Sequence, residues 1–92
     1  MKKQIWKYAL SDFSTNLQIP KGAEILTVQI QNRVPCMWIL VDPEEELEER
    51  QFEAFGTGFT ITYSNRITYK YIATYQLAEG SLVFHVFEKL NK

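Results

Sequence analysis

Side chains able to do covalent or metal chemistry are scarce in this sequence. It holds one histidine, His85, and one cysteine, Cys36. A nucleophile needs a base beside it, and a metal ion needs several ligands at a fitting spacing. His85 stands between Phe84 and Val86, no Ser or Cys is tied to it, and Glu88 falls on the other side of its strand. That context predicts a core or cross-strand histidine satisfied by a backbone carbonyl rather than a general base. Cys36 lies between Val34-Pro35 and Met37-Trp38 and reads as a buried, inert thiol, because reactive thiols need electropositive, accessible surroundings. No catalytic residue, metal or cofactor is expected.

Binding chemistry is better supplied. Gly56-Thr57-Gly58 could present successive amides as a concave nest for an anion, with the Thr57 hydroxyl as a further donor. A bulge or strand-ending turn would use the same residues. No Gly-Lys-Ser/Thr follows, so this is not a nucleotide-binding P-loop. Tyr69, Tyr71 and Tyr75 recur at even spacing, which places them on one strand face. With Tyr63, Trp6 and Trp38 they either pack as core or subunit interface, or stack on bases. Polar partners for a nucleotide-like ligand would be Lys7, Arg66 and Lys70, with Gln29 and Gln31 on one wet face. The acidic run from Asp42 to Glu49 reads as a solvated loop and lacks the pattern of a calcium site.

The elements that must position these groups follow period two. Trp6, Tyr8 and Leu10 share one side of a first strand. Leu26, Val28 and Ile30 alternate with Thr27, Gln29 and Gln31, which means one dry and one wet face. Cys36 to Val41 is continuously apolar and predicts a central strand, joined to its predecessor by a hairpin over Asn32 to Pro35. Ser11 to Gln18 reads as turn-like, and Ile19-Pro20-Lys21-Gly22 as a turn. Arg50 to Phe55 and the alternating Phe59, Ile61 and Tyr63 suggest two further strands. Ile67 to Leu77 is a long strand, and Ala78 to Ser81 a turn with Gly80 at positive φ. Leu82 to Glu88 is apolar on both sides, as a central strand would be. Asp42 to Arg50 offers the one helical possibility, with a short turn or loop as the alternative.

These elements predict an all-β protein: a small antiparallel sandwich or open barrel of six to seven strands, with at most one short helical turn. The 92 residues suit a single domain, 1–92. Ten basic and eleven acidic residues give a net charge of −1. Polymeric nucleic acid is not expected as a partner, because phosphate neutralisation needs clustered Lys and Arg. No spanning or basic amphipathic stretch suggests a membrane. No signal peptide is read, since Lys7 and Asp12 interrupt any apolar core, and with a lone thiol this predicts the cytoplasm. So small a core favours a homo-oligomer.

Several blocks carry a resemblance. They are Ile5-Trp6-Lys7-Tyr8, Ile19-Pro20-Lys21-Gly22-Ala23, Val28-Gln29-Ile30-Gln31, Gly56-Thr57-Gly58 and the closing Leu82-Val83-Phe84-His85-Val86-Phe87-Glu88. Over nearly the whole chain the sequence resembles a family of small uncharacterised proteins common in bacteriophage and prophage genomes. That family often continues after the glycines with a His and a Pro, where this chain has Phe59-Thr60. The resemblance implies a compact β fold and a phage setting, hence the host cytoplasm. It brings no assigned chemistry. The function expected is a non-catalytic binding module that sequesters a small anionic host-defence nucleotide between subunits. The alternative is a structural or host-protein-binding phage protein.

Overall fold

The computed structural model describes residues 2–11 and 13–91; Asp12, within the stretch expected to be turn-like, lies outside them. Seven strands follow one another along the described chain: β1 Gln4–Ala9, β2 Ser14–Pro20, β3 Glu24–Gln31, β4 Val34–Val41, β5 Leu47–Gly56, β6 Ile67–Leu77 and β7 Leu82–Asn91. They form two antiparallel sheets. One has the order β1-β4-β3, the other β2-β5-β7-β6. The only helical piece among the described residues is a 3-10 turn at Ala78–Gly80.

The strands form where side chains alternate between oil and water. In β4, Met37, Ile39 and Val41 are fully buried, and opposite them the second sheet contributes Ile19, Phe52 and Val86. Leu10, Val28 and Tyr75 join the same cluster, so both sheets share one core. Two layers about 10 Å apart give a slab of 42 × 37 × 16 Å. Both strands expected to be central are so: β4 lies between β1 and β3, and β7 between β5 and β6.

The connections obey local chemistry. Asn32 and Arg33 take φ of 50° and 68° in a two-residue hairpin, with Val34 and Pro35 already in the ladder opposite Gln31 and Ile30. Gly22, at φ 78°, completes the turn in which the Ala23 amide donates to the Pro20 carbonyl at 3.2 Å. Asp42 caps a turn rather than a helix: its Oδ1 accepts from the Glu44 amide at 3.0 Å, and its carbonyl from the Glu45 amide at 3.1 Å.

Three expectations are corrected. Ser14–Pro20 is a strand, because Thr15, Leu17 and Ile19 alternate inward along β5 while the polar residues between them face water. Phe59, Ile61 and Tyr63 alternate but lie in the loop between β5 and β6, since alternation without a neighbouring ladder leaves backbone groups unpaired. In β3 a bulge between Ile25 and Thr27 turns Leu26 outward, to 44% exposure, so Ile25 rather than Leu26 packs on the core with Val28.

Candidate functional site

The most distinctive surface is the outer face of the four-stranded sheet, where register sets three rows across β5, β7 and β6. These rows are Phe55–His85–Thr74, Glu53–Phe87–Tyr71 and Gln51–Lys89–Tyr69. The rings meet edge to face: Phe55 and Phe87 at 5.8 Å between centroids, Tyr71 and Phe87 at 5.5 Å, Phe55 and Tyr69 at 5.6 Å. From the loop, Tyr63 adds its ring to Tyr69 at 5.4 Å. Tyr63 and Tyr71 remain more than half exposed. The charges of these rows are matched, with Lys89 Nζ 3.8 Å from Glu53 Oε1. The Tyr69 hydroxyl donates to Glu53 Oε2 at 3.4 Å. Burial, and then the Glu53 charge, raise the Tyr69 pKa above the ordinary tyrosine value.

Through this face runs a chain of polar groups. Thr57 Oγ1 lies 2.8 Å from His85 Nε2, Thr74 Oγ1 lies 2.9 Å from His85 Nδ1, and the Tyr71 hydroxyl lies 2.8 Å from Thr74 Oγ1. A bulge makes this possible. Tyr71 pairs with Phe87 and Ala73 with Val86, leaving Ile72 extra. An extra residue inverts the alternation beyond it. Before the bulge Tyr69 and Tyr71 point out; after it Thr74 points out, beside His85.

The expected row of three tyrosines is therefore corrected. Tyr75 turns inward, is 6% exposed, and packs its ring 5.7 Å from that of Phe84. His85 is corrected as well: it is half-buried on an outer face and held by hydroxyls, not by a carbonyl.

Gly56 to Gly58 form a turn. The Phe59 amide donates to the Gly56 carbonyl at 3.0 Å, the Thr57 amide to the Val83 carbonyl at 3.2 Å, and Gly58 takes φ 92°. A Cβ on Gly56 would meet the Phe59 ring at 2.9 Å. One of the amides foreseen for an anion, that of Thr57, is thus engaged by the chain itself. Arg66 is exposed beside the turn that Ser64 Oγ caps by accepting from the Arg66 and Ile67 amides. Lys70 stands opposite Glu88 on the inward side of β6. Gln29 and Gln31 lie on the outer face of the other sheet, where Gln31 Oε1 accepts from Lys7 Nζ at 2.6 Å. The fold thus joins Thr57 and Tyr71 in one site, and separates Lys70, Gln29, Gln31 and Tyr75 from it. Cys36 is buried as expected, at 4% exposure.

Sequence reasoning missed the ion pair beneath this sheet. Arg50 Nε and Nη2 both donate to Glu88 at 2.7 Å, and Nη1 donates to the Ala23 carbonyl at 2.8 Å. The hydrogen bond to Glu88 holds the Arg50 pKa above its ordinary value, although burial opposes it. The pair lines a 370 Å³ cleft with Lys70, Glu24 and the two bulged segments. A signal was present: Glu88 shares a strand side with Phe84 and Val86, and an acid on a dry face needs a cation.

No His/Cys/Asp/Glu group able to hold a metal ion occurs among the described residues. None of their helices is long and apolar enough to cross a membrane. Fold and face together define a small all-β protein of two sheets with an aromatic outer surface. The chain belongs, over residues 1–92, to the family described as Domain of unknown function (DUF7352). No curated protein and no solved structure matches it.

Proposed function

We propose that this protein is a non-catalytic, phage-type binding module of the host cytoplasm that works as a homo-oligomer, with the aromatic face of the four-stranded sheet as the contact between copies. The observation that carries this reading is the composition of that face. Exposed Tyr63 and Tyr71 lie over Phe55, Tyr69 and Phe87, and Glu53 and Lys89 already neutralise each other. Interface cores are enriched in aromatics and depleted of unpaired charge. A second copy suits this chemistry, because three rows without net charge meet their own image without repulsion and offer both donors and acceptors to it. Four strands of seven to eleven residues present a face of about 600 Å², close to the ~800 Å² that each partner gives to a stable interface.

The finer role, sequestering a host-defence nucleotide at that boundary, draws on the same stripe. Tyr71 would stack on the base, and Thr57, Thr74 and His85 would bond its edge. The structural or host-protein-binding role uses the face without a small ligand.

Sedimentation at tens of micromolar should show an oligomer. Tyr71→Asp should weaken it at least ~tenfold, while Gln29→Asp on the opposite face should not. A wild-type monomer under these conditions removes the reading. A thermal-shift series with cyclic dinucleotides then separates the two roles, since stabilisation lost in Tyr71→Ala supports sequestration.

A further inference from the structure

We infer that docking through this face is gated by protons, with His85 as the gate; the inference rests on the self-docking reading above. His85 is the one histidine of the chain. Imidazole is the one side chain whose unperturbed charge changes between about pH 5 and 8. The ring sits among the rows of the proposed contact, and neutral hydroxyls occupy both its nitrogens, Thr57 at 2.8 Å and Thr74 at 2.9 Å. A neutral imidazole donates from one nitrogen and accepts at the other. The chain from Tyr71 through Thr74 and His85 to Thr57 is then fully bonded with no charge in it.

Among the described residues, no carboxylate is bonded to the ring. Beside it stand Phe55 on β5, Thr74 and Tyr71 on β6, Val83 and Phe87 on its own strand, and Thr57 at the loop. The charged groups of the rows, Glu53 and Lys89, hold each other 3.8 Å apart, and Glu53 also accepts from Tyr69. A second copy seated on the face would strip water from an imidazolium without giving it a counter-ion. Dehydration disfavours the charged form, so the docked state binds protons less readily than the free one. Docking therefore weakens as pH falls. Protonation also makes both ring nitrogens donors, so whichever hydroxyl donated to the ring must reverse.

The test is the self-association constant by sedimentation at pH 8.0 and 5.5, for wild type and for His85→Gln, which keeps a donor and an acceptor without the charge. Melting curves at each pH confirm that the chain is folded. The expected result is a wild-type association at least ~tenfold weaker at the lower pH, and less than ~twofold change in His85→Gln. A second readout uses wild type alone: the imidazole carbon shifts, followed by NMR, should titrate at lower pH in concentrated than in dilute protein. An oligomer at pH 8.0 that is indifferent to acid overturns the gate and leaves the docking face standing. So does a His85→Gln chain that weakens as much as wild type, or an imidazole titration independent of concentration. A wild-type monomer at pH 8.0 removes both.

Discussion

Arg50 and Glu88 show how much one contact carries. Glu88 is only 6% exposed, and its carboxylate receives two of the guanidinium's donors while a third holds the turn at Ala23. Removing either partner strands a buried charge. Arg50→Met or Glu88→Gln should each cost about 3–5 kcal/mol of folding free energy, read from urea midpoints. The double replacement Arg50→Met with Glu88→Leu should recover most of that loss. Tyr69 carries a pH signature of the opposite kind. Its folded pKa is raised, so the neutral phenol stabilises the fold. That stability is complete below the ordinary tyrosine value and is lost as pH rises through the folded one. Urea midpoints of wild type should therefore fall on going from about pH 9 to 11, and Tyr69→Phe should flatten part of the decline. Tyr8, raised by burial, keeps a share of it.

Among the elements, the turn between β6 and β7 is the most strained. Ala78 and Glu79 take φ of 50° and 57°, and Gly80 takes 90°, while the Ser81 amide donates to the Ala78 carbonyl at 3.1 Å. Glu79 and Gly80 are thus the central residues of a turn that favours Asn-Gly. Glu79→Asn should stabilise by about 1 kcal/mol, a rise of roughly 4–8 °C in melting temperature for a domain of this size. The sequence pattern makes the strands legible where hydrophobicity alternates, as in Trp6, Tyr8 and Leu10, or where a short run is apolar throughout, as in Cys36 to Val41. It misleads at Leu26 and Ile72, because a bulge adds one residue without leaving any mark on composition. It also misleads at Ser14–Pro20, whose polar side looks like loop until Leu17 and Ile19 are seen to face the same way.

At the scale of the whole molecule, the same bulge explains why the site was only half legible. Thr57 and Tyr71 could be named from sequence as a donor and a ring, but nothing local says that one sheet face joins them through His85 and Thr74. Nor does it say that Gln29 and Gln31 belong to the far side, since that depends on which strands share a sheet. The strand order also binds the two layers together. β1 pairs with β4, yet β2, which lies between them in the chain, pairs with β5 in the other layer. The acidic turn after Asp42 separates a front half that owns every strand of one layer from a rear half that owns three of its layer's four strands and borrows β2. A protease nick there would leave two pieces clasped by that borrowed ribbon. The polypeptide is in effect a split protein whose halves are already matched to reassemble.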